Sequence, residues 1–193
     1  RNLRKRSDAD SLAAAALFSV RSDPADALRL IGQARSAVLG RPELTLLHVQ
    51  ICTRSVGCDP KPLESEMRKQ DPQNGVGWSG DISRANDAKD EEALDAAIGA
   101  AGRAMQFNSY FMTLAARLSE ATAKSKSMPL NDAIIAVSGE LAGFGLPDYT
   151  SISKGCAIER MKRPGLLEFC RQLAASLVAG DTLMAEGFGV AIA

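Results

Sequence analysis

Ser22-Asp23-Pro24, Gly40-Arg41-Pro42, Asp59-Pro60, Asp71-Pro72 and Asp90 interrupt the first half of the chain, twelve to eighteen residues apart. That interval is a normal helix plus its loop. Several of these marks have the chemistry of a helix start. An Asp or Ser oxygen caps orphan backbone N–H groups, and proline fits the first helical position, where no N–H is needed. Between the marks apolar residues recur three and four apart, and Ala27, Leu28, Ile31, Ala34 and Val38 share one helical face. Alanine and leucine, both strong helix formers, dominate, and β-branched runs are nearly absent. The spacing predicts an all-α chain of about ten helices arranged as antiparallel hairpins, with no strand.

Further along, polar Thr122 to Pro129 reads as a surface loop, and a helix follows near 130–143. A connection rich in Gly and Pro, "GFGLPDYTS", leads to helices near 151–162 and 165–179 and a last one capped by Asp181 or Thr182. At 193 residues the chain suits a single domain, with hairpins over about 41–107 and a C-terminal helical subregion over about 130–193. Lys+Arg and Asp+Glu are both 23, so no bulk field attracts nucleic acid or an acidic membrane, and no basic stripe interleaved with aromatics appears. Arg1, Arg4, Lys5 and Arg6 form a small basic tip that reads as a solvated terminus. The apolar run after it, "SLAAAALFSV", invites an export-signal reading. Asp8 and Asp10 intrude where such a signal carries no acid, so residues 8–19 are expected to be a folded helix. The first residue is Arg, and the chain is expected to be a mature or trimmed product. No apolar run approaches the ~20 residues that span a bilayer.

Four cysteines fall into two local pairs, Cys52 with Cys58 and Cys156 with Cys170. Gly57 provides the break that folds Cys58 back on the last helical turn, and the second pair flanks "RPG" as two positions on a helix hairpin do. Local pairing is expected among the three possible connectivities. The alternative is four buried free thiols. Disulfides would place the chain in an oxidising compartment such as a bacterial periplasm. Zinc is disfavoured, because CxxC is absent and the lone His48 lies near only one pair.

Two blocks line up, Arg41 to Asn74 and Gly75 to Asn108. They resemble the tetratricopeptide repeat (TPR), a helix-turn-helix of about 34 residues. Trp78 falls on the repeat's Trp position, Ala101 on a small position, Asp71-Pro72 where a repeat ends and Asp90 near its turn. Ile82 stands where a small residue belongs, Ala85 where a Tyr is expected, and Pro60 and Pro62 disturb the second helix of the first block. The chain is also similar to exported helical-repeat proteins of uncertain role in Gram-negative bacteria. The resemblance implies hairpins stacked as a right-handed superhelical array, with Trp78 in the core between the helix after Pro72 and the helix after Asp90. A concave face would hold a protein or peptide partner.

Signals of catalysis are weak. His48 has no nucleophile signature beside it, "GVGWSG" lacks the strand and GK[ST] of a phosphate cradle, and "EGFG" and "GFGLP" read as turns. Glu64 with Glu66, and Glu91 with Glu92, read as solvated charges near helix starts. The expected function is therefore a non-enzymatic binding scaffold, periplasmic or secreted, with no cofactor or metal. Gln50, Arg54 and Arg84 are its candidate partner contacts, since arginine suits peptide carboxylates. The alternatives are a hydrolase acting on an envelope polymer through carboxylates, and a secreted effector.

Overall fold

The computed structural model describes residues 3 and 7–193 except 127 and 145, with the backbone alone at 144. The basic tip at Arg1, Arg4, Lys5 and Arg6 lies outside the described residues. Among the described residues the chain is all-α. Its helices are α1 (Ala9–Ser19), α2 (Pro24–Ala37), α3 (Pro42–Thr53), α4 (Lys61–Gln70), α5 (Ser79–Ala88), α6 (Glu91–Gly102), α7 (Phe111–Lys124), α8 (Leu130–Phe144), α9 (Tyr149–Gly155), α10 (Leu166–Val178) and α11 (Leu183–Ile192). Short 3₁₀ turns occupy Gly75–Trp78 and Arg160–Lys162.

The caps form as their residue types require. The side chains of Asp8, Asp23, Asp90, Asp148 and Thr182 each accept the backbone N–H of the residue three positions on. Thr182 wins the last cap over Asp181, whose carboxylate is engaged by the backbone N–H and hydroxyl of Ser109 at 2.8 and 2.9 Å.

The chain divides into two compact units that interleave along the sequence. One holds the described residues up to Gln70 with Tyr110–Leu146, the other Asp71–Ser109 with Pro147–Ala193. In the first, α1 packs on α2, α7 and α8, while α3 packs on both α2 and α4. The stretch with export-signal character is thus the central helix of this unit. Ala13, Ala14, Ala15 and Ala16 are all buried, and their small side chains let neighbours approach α1 on several sides. Arg41, just before α3, anchors α1 through Asp10 at 2.7 Å and holds Glu43 at 2.7 Å.

In the second unit α10 packs on α6 and α11, and α5 packs on α6 and α9. Asn74, only 1% exposed, closes the 75–108 block on itself. Its amide donates to the Asn108 carbonyl at 2.9 Å and to Asp71 at 3.0 Å, and its oxygen accepts from the Asn108 and Val76 N–H groups at 2.9 and 3.2 Å. Phe107, Tyr149 and Phe188 form an aromatic run with ring centroids 6.0 and 5.4 Å apart.

Several expectations shift. The segment after Pro72 begins as the 3₁₀ turn Gly75–Trp78, because Gly75 is pinned to Gln106 by a 2.8 Å backbone hydrogen bond and α5 starts only at Ser79. Trp78 closes that turn and is half-buried instead of largely buried. The helix expected over 151–162 ends at Gly155, where a Cβ would stand 2.7 Å from Ile98 Cδ1 on α6. "EGFG" lies inside α11, and Phe188 stacks on Tyr149.

Candidate functional site

The first unit carries a polar cavity built around Arg35, and the second carries an open apolar cleft. In the first unit a cavity of about 280 Å³ is lined by Arg35, Ser36, Arg41, Thr45, Glu66 and Gln70 among others. Arg35 on α2 organises it, with Nε donating to Thr45 Oγ1 at 3.3 Å and Nη2 pairing with Glu66 at 2.5 Å. Gln70 Nε2 donates to the same Glu66 oxygen at 2.9 Å, and Thr45 donates to Gln70 Oε1 at 2.8 Å. Arg35 Nη1 reaches His48 Nδ1 at 2.9 Å. A guanidinium only donates, so Nδ1 is the acceptor and the ring proton sits on Nε2.

His48 therefore has no lone pair to offer a substrate. Burial, reinforced by the charge of Arg35 and only partly countered by Glu66, lowers its pKa to about 4. The cluster joins α2, α3 and α4, with Arg35 bonded to the Glu66 carboxylate, the Thr45 hydroxyl and the His48 imidazole, and the Gln70 amide bonded to Glu66. A stability consequence follows. The native pKa lies below the unfolded value near 6.5, so the unfolded chain binds the extra proton and stability falls as pH drops from about 6.5 to about 4. Screening at this half-buried ring reduces the effect to about 1–2 kcal/mol. Denaturant titrations at pH 7 and pH 4 are expected to show that loss in the parent and most of it removed in His48→Gln. Superimposable pH profiles would contradict the buried neutral ring.

The second unit carries an open cleft of about 730 Å³ at the disulfide-closed segment between α9 and α10. Ile158, Met161, Leu167 and Ile192 supply apolar walls, and Lys154 and Lys162 also line it. The segment is held from two sides. Cys156 bonds to Cys170, and Arg160 and Arg163 both grip Glu91 and Asp95 on α6, the Arg163 pairs at 2.8 and 2.9 Å. Held in this way, Ile158 remains 71% exposed and Leu167 40% exposed. Isolated exposed apolar residues are ordinary, whereas apolar walls converging on one cleft make a candidate binding surface.

Both local cysteine pairs are disulfides, Cys52–Cys58 and Cys156–Cys170. Gln50 is half-buried on α3 and Arg54 exposed just beyond it, both in the first unit. Arg84 belongs to the second unit, where it pairs with Asp81 at 2.6 Å. Of the carboxylates expected to be solvated, Glu64 is 4% exposed, since its side of α4 faces the interior with Met67. Glu66 and Glu91 are bound by arginines. No group of three or more His, Cys, Asp or Glu among the described residues is placed to hold a metal ion. No described helix is long and apolar enough to cross a membrane.

The cleft residues were not singled out from sequence. The available signal was "CAIERMKRPGLLEFC", in which Ile158, Met161 and Leu167 alternate with charges in a stretch broken by proline. Such a segment is too short and irregular to bury every apolar residue it carries. No protein-family model, curated protein or solved structure matches the chain.

Proposed function

We propose that the chain is a non-enzymatic scaffold of the bacterial envelope that binds a protein or peptide, periplasmic or secreted. The observation that carries this reading is the open apolar cleft of the second unit, with exposed Ile158 and Leu167 on its walls. In the polar alternative, the His48 cluster, the imidazole lone pair accepts from Arg35 and the Glu66 carboxylate is held by Arg35 and Gln70. Two disulfides support an oxidising compartment. Recovery of the native protein with four free thiols would remove that part of the reading.

The resemblance to stacked tetratricopeptide hairpins belongs to the same proposal. It is supported by the joining of Asn74 to Asn108, equivalent ends of the two blocks. The assignment of the two blocks to different units departs from a simple array. A crystal structure in which successive hairpins do not stack side by side with a right-handed twist would remove the array.

The test is an immobilised peptide array probed with the intact chain, beside a turnover assay on peptidoglycan. Saturable capture of a subset of peptides and no release of polymer fragments are expected. Gln50, Arg54 and Arg84 remain the proposed polar contacts of the partner. The double variant Arg54→Ala/Arg84→Ala is expected to weaken capture several-fold with stability changed by no more than about 0.5 kcal/mol per site. Unchanged capture would remove the two arginines, and polymer turnover would overturn the non-enzymatic reading.

A further inference from the structure

We infer that the cleft of the second unit is a docking groove for an acidic amphipathic helix, a segment with one apolar face bordered by carboxylates. This rests on the scaffold reading above and specifies its partner. Shape argues first against a small molecule. Such ligands lose roughly 70–90% of their surface on binding, in pockets that enclose them. Here the walls themselves are open, with Ile158 71% and Leu167 40% exposed. A macromolecular segment brings its own cover and seals those walls as it binds. The cleft runs among the end of α9, the turn at Arg160–Lys162, the start of α10 and the end of α11. An irregular apolar trough of this kind takes the i, i+3, i+4, i+7 anchors of a helix, and Met161 is the adaptable side chain such troughs use.

Charge selects the sign of the partner. Lys154 and Lys162 line the cleft, and no Asp or Glu side chain lines it among the described residues. The neighbouring cations Arg160 and Arg163 already hold Glu91 and Asp95, so they fix the wall instead of competing for the occupant. The lysines thus present positive charge beside apolar surface, complementary to carboxylates flanking a leucine-rich face. The Cys156–Cys170 bond and the arginine grip hold the groove before binding, so little of the interaction is spent on ordering it.

The experiment measures fluorescence anisotropy of two labelled peptides of about 18 residues, long enough to be helical when bound. Both carry the same leucine pattern, one with Glu and the other with Lys on the polar face. The acidic peptide is expected to bind at least about tenfold more tightly, and Lys154→Glu/Lys162→Glu to reverse that preference. Ile158→Glu, at an exposed position, is expected to abolish binding of the acidic peptide while thermal unfolding stays unchanged. Equal binding of the two peptides overturns the proposal. So does dodecanoate binding that is lost in Ile158→Glu without any peptide binding, which assigns the cleft to a small amphiphile. A dimer of the chain that Ile158→Glu dissociates assigns it to a second copy and overturns the proposal as well. Peptide binding that survives Ile158→Glu overturns this groove alone and leaves the scaffold reading standing. Failure of every peptide, including all those on the array, removes both.

Discussion

Gly102→Ala is expected to destabilise the protein by about 2–3 kcal/mol, while Gly139→Ala is expected to stabilise it by about 0.5–1 kcal/mol. The chemistry of the two changes is identical, and only the surroundings differ. A Cβ on Gly102 would lie 2.5 Å from the carbonyl oxygen of Phe169 and 3.1 Å from its carbonyl carbon and Cα. All three atoms are backbone, so no rotamer change relieves the overlap. Either α6 and α10 move apart or the end of α6 distorts. Gly99, one turn earlier, brings the Phe169 ring to 3.3 Å of its own Cβ position, so the two glycines form one flat seat for α10. Gly139 lies on α8 with nothing within 4 Å of its Cβ position, and there alanine only restricts the unfolded chain and favours the helix. Urea midpoints at constant m-value read both effects. A Gly102→Ala variant as stable as its parent would mean that α6 and α10 do not meet at this seam.

Those two glycines show what the sequence carries locally and what it does not. Helix starts were legible because a cap is a short-range contact. Asp23, Asp90 and Thr182 each reach an N–H three residues away, and no distant partner alters that. Asp8 and Asp10 were enough to turn the alanine-rich run into a folded helix, but its central position was not readable. Periodicity gives the width of a helix's apolar face without naming the neighbour, and α1 is apolar nearly all round. The same limit hid the interleaving of the units, since the pairing of α6 with α10 joins residues some seventy positions apart. Trp78 was misplaced for a related reason. Its turn is set by Asn74 and Gln106 across the block, a contact that overrides the helical preference of the residues after Pro72.

The candidate site was legible only at its edges. The cysteine pairs were readable because their partners are close in sequence. The cleft beside the Cys156–Cys170 bond depends on where Arg160 and Arg163 pull the segment, and their partners Glu91 and Asp95 lie on another helix. Sequence ranked Glu91 as a solvated charge. In the structure it pairs with Arg160 and Arg163 and so helps fix the segment that leaves Ile158 and Leu167 exposed, and removing the covalent half of that hold gives the second large prediction.

Cys156→Ala/Cys170→Ala is expected to lower stability by about 3 kcal/mol, and Cys52→Ala/Cys58→Ala by about 2 kcal/mol. The order follows from loop closure. The bonds span sequence separations of 14 and 6, and the longer loop removes more freedom from the unfolded chain. Alanine is the right replacement because Cys156 and Cys170 are 3% and 0% exposed, and a serine hydroxyl there would need a new partner. Trp78, the only Trp, belongs to the second unit, so its emission reports the unit that holds the longer bond. Its unfolding midpoint is expected to fall further in Cys156→Ala/Cys170→Ala than in the other pair. The functional readout separates the bonds more sharply. Only the 156–170 bond ties down the segment carrying Ile158, Met161 and Lys162, so only its loss is expected to weaken peptide capture under conditions where both variants remain folded. Equal loss of capture from both pairs would mean that the disulfide supports the fold in general and does not shape the cleft.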